Sequence, residues 1–184
     1  MTAKQQLLAV LAFIALLGGG ALIGSHYLKD EITSITLGSD APGFSAMTLD
    51  PAPVMKSLTD YRGEVVLLNI WATWCLPCRT EMPSIEALHQ ALGPQGLKIV
   101  AVSVDDAGAA DKIRDFAKAY KLSFELLHDE TGAIQTIFRT ANKVPETFVI
   151  ARDGTIRKKL IGEDDWNSEA NKRLLALLLA EPKP

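Results

Sequence analysis

Trp71-Ala72-Thr73-Trp74-Cys75-Leu76-Pro77-Cys78-Arg79-Thr80-Glu81-Met82-Pro83 carries both cysteines of a 184-residue chain. Just before it, Val65-Val66-Leu67-Leu68-Asn69-Ile70 is a short apolar run rich in β-branched residues, the pattern of a buried central strand. Just after it, Arg79 to Leu92 sets Met82, Ile85, Leu88 and Leu92 on one stripe, with Gly93-Pro94 as the stop, which predicts an amphipathic helix. The Cys-x-x-Cys pair therefore falls where a strand ends and a helix begins. Unpaired amides and the helix dipole stabilise an anion at that place, so the Cys75 pKa is expected below the roughly 8.5 of a free thiol. Its thiolate can attack a disulfide, and Cys78, one turn further in, can resolve the mixed disulfide that forms.

Two other readings of the pair are weaker. Zinc needs two more ligands, and His26, His89 and His128 show no ligand spacing. A structural bridge closing so short a loop would constrain the unfolded chain little. His89 and His128 read as structural or surface residues.

Further out, the chain alternates strand-like and helix-like segments. Leu97 to Val104 reads as a second buried strand and Asp111 to Tyr120 as a second amphipathic helix. Ala41 to Ser57, broken by Pro42, Gly43, Pro51 and Pro53, suggests an irregular extended pair. Phe124 to Leu127 is too short to assign, and Gly132 to Arg139 reads as a helical turn or two. Thr147 to Ala151, the turn Arg152-Asp153-Gly154, and Ile156 to Ile161 form a hairpin pattern. Ser168 to Ala180 closes the chain as a Leu-rich helix, with Ser168 as N-cap and Pro182 beyond its end. The order implies an α/β fold, a mixed central sheet flanked by helices on both faces.

The N-terminus differs in kind. Leu7 to Ile23 is a run of 17 residues without a polar side chain, and Lys4 to Lys29 brackets a stretch free of Asp, Glu, Lys and Arg. At about 1.5 Å per residue, some 20 helical residues cross a hydrocarbon core of roughly 30 Å. An uncleaved transmembrane anchor over residues 1–24 is expected, with Lys4 favouring the N-inside orientation. A cleaved signal peptide is the competing reading, with Gly18 and Gly20 as small residues for a cleavage site. Either reading exports the remainder. Residues 25–40 read as a stalk and 41–182 as the folded domain.

Composition excludes several classes. Apolar residues make up 48% and charged residues 22%, enough for a real core and unlike a disordered chain. A net charge of -3 argues against a nucleic-acid binder, which normally shows a basic face. Two cysteines are too few for a four-cysteine zinc site or a disulfide-stapled mini-protein.

The run Arg62 to Cys75, continuing through Pro77-Cys78-Arg79-Thr80-Glu81-Met82-Pro83, resembles the thioredoxin-like family. Within it, the run is similar to the TlpA group of membrane-anchored, extracytoplasmic thiol–disulfide reductases. So is Val144-Pro145-Glu146-Thr147-Phe148-Val149-Ile150 with its following Asp153-Gly154 turn. The resemblance covers about residues 41–180 and implies a thioredoxin fold. It also implies that Val144-Pro145 is the cis-proline loop facing the active site, its backbone pairing with an incoming substrate strand; the cis form costs an X–Pro bond only about 0.5–1 kcal/mol. Pro83 matches the structural proline of the first helix.

Asn69 stands where cytosolic thioredoxins have a buried Asp that assists proton transfer, and Asn cannot ionise. The resemblance gives that task to Glu81, one turn after Cys78, as general acid/base. Trp74, Leu76 and Pro77 are expected around the reacting sulfur as substrate contacts, and Trp71 as site frame or core.

The expected function is a membrane-tethered reductase in the periplasm, bound to the inner membrane by a single span. It uses no cofactor beyond the Cys75–Cys78 pair. The resemblance implies protein disulfide substrates among cytochrome c or cytochrome oxidase and copper maturation factors, and electrons from a membrane transporter of the DsbD or CcdA type. Some TlpA-branch relatives carry an additional cysteine pair, which this chain lacks. A thiol oxidase or isomerase would share fold and motif. A Cu(I) chaperone would use soft thiolates, but copper carriers of this fold tend to a Cys-x-x-x-Cys spacing with a distant His.

Overall fold

β3 (Val65–Trp71) is buried at every position, as a strand covered on both faces must be, and a run that is apolar except at Asn69 is the cause. It lies at the centre of a seven-stranded mixed sheet of order β2-β1-β5-β4-β3-β6-β7. The computed structural model describes Gln5, Phe13 and residues 35–140 and 143–183.

β3 leads through α1 (Leu76–Leu92) into β4 (Leu97–Ser103), and β4 through α2 (Ala110–Tyr120) into β5 (Glu125–His128). β3, β4 and β5 are mutually parallel. Two crossovers of the same hand, stepping the same way across a sheet, put both helices on one face. Accordingly Met82, Ile85 and Leu88 of α1 and Ile113 of α2 share one buried cluster with Leu175 and Leu178 of the C-terminal helix α4 (Glu169–Ala180). The other face is covered by the short α3 (Ala133–Ile137), whose Ile134 packs with Phe138, Phe148 and Leu68.

β6 (Glu146–Ile150) runs antiparallel to β3, and β7 (Ile156–Ile161) antiparallel to β6. β1 (Ser45–Thr48) and β2 (Met55–Ser57) complete the far edge, β1 pairing antiparallel with β5. The extended pair and the hairpin match the reading from sequence, and the unassigned Phe124–Leu127 region supplies β5.

Two boundaries differ, each for a physical reason. α1 starts at Leu76 rather than Arg79, because Cys75 caps it through sulfur and Pro77 fits its first turn. α1 ends at Leu92 with Gly93-Pro94 just beyond it, as read from sequence, and the chain then turns into β4 at Gly96, whose φ of 105° favours glycine. The fold also takes in residues 35–40, read as stalk from sequence. The Gly38 and Ala41 amides donate to Ile156 and Gly154 carbonyls at 2.8 and 2.9 Å.

The chain divides into two units, Met1–Ser34 and Ile35–Pro184. Of the first, Gln5 and Phe13 are described and both are helical; the expected anchor otherwise lies outside the described residues. Among the described residues, no helix is long and apolar enough to cross a membrane.

Candidate active site

β3 ends at Trp71, which is fully buried and packs on Phe116 of α2 with ring centroids 4.9 Å apart. Core packing thus fixes the point from which residues 72–75 depart. Thr73 is then held by Asp105: its amide donates to Oδ2 at 2.8 Å and its hydroxyl to Oδ1 at 2.5 Å. The Ser103 hydroxyl donates to Oδ2 at 2.7 Å, and His128 Nε2 lies 2.9 Å from the Asp105 carbonyl. Burial is the largest influence on the Asp105 carboxyl and raises its pKa. The hydrogen bonds from Thr73 and Ser103 and the Lys112 charge outweigh it, and the net displacement is downward.

Cys75 and Cys78 form a disulfide, with their Cα atoms 5.3 Å apart. Cys75 is the N-cap of α1, its sulfur accepting from the Cys78 amide at 3.1 Å. A sulfur so placed meets the unpaired N–H groups and positive end of a helix of 17 residues, an environment that favours a thiolate over a thiol. Both cysteines are buried, but Trp74 is 60% and Leu76 72% exposed. Together with the exposed Pro77, they give the rim of the pair an apolar surface.

The Val144–Pro145 bond is cis. The register explains its position: Glu146 pairs with Ile70, so Pro145 lies level with Trp71, at the end of β3 that leads to Cys75. Pro145 is buried and its carbonyl accepts from the Gly162 amide at 2.9 Å. Val144 packs against the cluster that contains both cysteines.

Glu81, one turn beyond Cys78 on α1, is 1% exposed. Asn69 Nδ2 donates to its Oε1 at 2.8 Å and the Trp166 indole N–H to its Oε2 at 3.2 Å. Asn69 Nδ2 also donates to Thr147 Oγ1 at 2.8 Å. Burial raises the Glu81 pKa to about 7, against these hydrogen bonds and one from the Asp164 backbone, while the Asp164 charge adds to the rise. That value suits proton exchange near neutral pH.

The structure brings Cys75, Cys78, Glu81, Asn69, Val144 and Pro145 to the same end of β3 and β6, with Trp74, Leu76 and Pro77 around the pair. Trp71 is core. Sequence reading missed the Asp105 clamp and the hydrogen bonds of Trp166 and Thr147 to this group. Among the described residues, no group of three or more His, Cys, Asp or Glu side chains could hold a metal ion.

Comparisons with known proteins agree with this geometry. The profile of the AhpC/TSA family matches residues 37–159. Thiol-disulfide oxidoreductase ResA of Geobacillus thermodenitrificans is 34% identical over 161 residues, covering 86% of this chain and 90% of that one. Thioredoxin-like protein YneN of Bacillus subtilis is 39% identical over 137 residues, covering 74% and 77%. A Chlorobium tepidum crystal structure, proposed to be the thiol:disulfide interchange protein DsbE, is 26% identical with a TM-score of 0.69. The alignment with it covers 80% of this chain and 100% of that one. A cysteine pair capping a helix beside a cis-proline, on a thioredoxin-like sheet, together with relatives of this kind, makes the protein a thiol–disulfide oxidoreductase acting on protein disulfides. The chain belongs to the AhpC/TSA family of thioredoxin-like proteins, alongside the ResA-type enzymes.

Proposed function

We propose that the protein is a membrane-tethered, extracytoplasmic disulfide reductase. The observation that carries this reading is Cys75 as sulfur N-cap of α1, ringed by the exposed apolar Trp74 and Leu76.

The Cys75 thiolate attacks a target disulfide, forming a mixed disulfide and releasing one target thiolate, which takes a proton from solvent. Cys78 then gives its proton to the Glu81 carboxylate and attacks Cys75 Sγ. That expels the second target sulfur, which is protonated in turn, and leaves the Cys75–Cys78 disulfide. Two electrons pass from the enzyme to the target. Val144 and Pro145 align the target strand, and Trp74, Leu76 and Pro77 contact it. No cofactor beyond the cysteine pair takes part.

The apolar run in residues 1–24 tethers the chain to the inner membrane with the domain in the periplasm. An exported compartment is oxidising, so the spent disulfide must be re-reduced across the membrane. A thiol transporter of the DsbD or CcdA type fits that need. The targets are cysteine pairs of cytochrome c or oxidase and copper maturation factors.

The reduction potential of the full-length chain, equilibrated against glutathione or dithiothreitol buffers, tests the direction of electron flow. A value near the roughly −270 mV of thioredoxin supports the reductase. A value near the roughly −120 mV of DsbA overturns it in favour of an oxidase.

A further inference from the structure

We propose that Trp166 and Asn69 are positioning residues for the Glu81 proton. In this reading Trp166 holds the ionised form, while Asn69 serves both forms by turning its amide over. The inference rests on the acid/base role given to Glu81 above.

The donors alone pose a problem that the amide resolves. An indole N–H and an amide NH2 can only donate, so the observed contacts to Oε1 and Oε2 fit the carboxylate. A protonated Glu81 carries an O–H that needs an acceptor in a buried place. Asn69 Oδ1 is buried and accepts from no group among the described residues. Turned by 180°, the amide puts Oδ1 where Nδ2 stands. Its two lone pairs then accept from the Glu81 O–H and from the Thr147 hydroxyl. Both neighbours can make that change, because a carboxyl becomes a donor on protonation and a hydroxyl donates as readily as it accepts.

An Asp at position 69 would instead set a second carboxylate against Glu81, and an apolar residue would leave the acid's O–H without this acceptor and Oε1 of the anion without this donor. Trp166 has no such second mode. Its N–H bonds the anion more strongly than the acid, and so opposes the burial that favours the acid.

Other groups around Glu81 are accounted for. β3 and β6 contribute the neutral Asn69 and Thr147. α1 contributes Cys78 and the exposed Arg79. Glu163, Asp164 and Asp165 line a cleft beside Glu81, and Asp164 shares its charge with Lys158 at 3.1 Å. Lys158 Nζ also lies 4.7 Å above the Trp166 ring. The Ser84 hydroxyl accepts from the Trp166 backbone amide at 3.0 Å, which ties the indole's segment to α1.

The test is nuclear magnetic resonance titration of the full-length chain in detergent, in the disulfide form, where neither sulfur titrates. The Glu81 carboxyl carbon, the Trp166 indole N–H and the Asn69 side-chain amide are followed from about pH 5 to 9, a range bracketing the ordinary carboxyl and shifted values. All three should move with one midpoint. Trp166→Phe, checked by circular dichroism, should raise that midpoint by about one unit, a tenfold gain in proton affinity. Indole and amide signals that stay flat while Glu81 titrates overturn the proposal, as does an unmoved midpoint in Trp166→Phe. Should that variant not fold, the wild-type co-titration decides by itself.

The pH profile for reduction of a chromogenic disulfide by the reduced chain separates this inference from the reading beneath it. A Trp166→Phe midpoint that moves in the spectrum but not in the rate leaves the cradle standing. It then removes Glu81 from catalysis.

Discussion

Thr73 and Asp105 are joined twice, by the Thr73 amide to Oδ2 at 2.8 Å and its hydroxyl to Oδ1 at 2.5 Å, both groups buried. The loop that delivers Cys75 is thereby anchored to the end of β4, 32 residues away in sequence. A buried carboxylate with several donors is costly to remove, because each donor is left without a partner.

Asp105→Ala should therefore cost about 2–3 kcal/mol at pH 7. The folded pKa of Asp105 is depressed, so its contribution is present above the unfolded value of about 3.9 and is lost as pH falls through the folded one. Urea unfolding of wild type and variant at pH 7 and at about pH 2 checks both the size and the sign. An equal loss at the two pH values would count against the clamp.

Glu81 behaves in the opposite sense. Its folded pKa is raised to about 7, so between roughly pH 4.5 and 7 the folded state binds the extra proton and stability falls as pH rises. A rise of this size corresponds to about 3 kcal/mol. Chemical unfolding across that window should show the decline in wild type, and Glu81→Gln should flatten it.

Glu146 and Lys159 form an ion pair of 3.0 Å with the carboxylate 1% exposed, although neither oxygen receives a well-directed hydrogen bond. Burial, its largest influence, raises the Glu146 pKa against the attraction of Lys159. Lys159→Met should destabilise by about 1–3 kcal/mol, less than for a fully buried pair because Lys159 keeps partial access to water. Adding Glu146→Gln should recover most of that loss, which a double-mutant cycle would measure.

The two cysteines should separate by trapping. Cys78→Ser leaves the nucleophile at the cap of α1 without its resolving partner, so mixed disulfides should accumulate on Cys75. Cys75→Ser should form none, and both variants should lose turnover. Non-reducing electrophoresis after incubation with an oxidised protein target distinguishes them; trapping on Cys78 instead would reverse the assigned roles.

Elements that arise from local pattern are legible in the sequence. A run apolar except at Asn69 makes β3, a four-residue stripe makes α1, and the Asp153-Gly154 turn, with Gly154 at φ 88°, makes the β6–β7 hairpin. Each depends on neighbours a few residues apart, so one pass along the chain reads it. The start of α1 was less legible, because the cap is a sulfur rather than the usual Ser, Thr, Asp or Asn.

The cysteine pair and its place between strand and helix were equally local, and so was the chemistry that follows from them. What surrounds the pair depends instead on how distant segments fold together. Trp166 meets Glu81 across 85 residues, Asn69 meets Thr147 across 78, and Asp105 meets Thr73 across 32. Such contacts depend on strand register and on which face each helix covers, neither of which leaves a periodic trace in sequence. A glutamate on a helix reads as solvated until burial removes its water and distant donors replace it, and those two changes set its proton affinity.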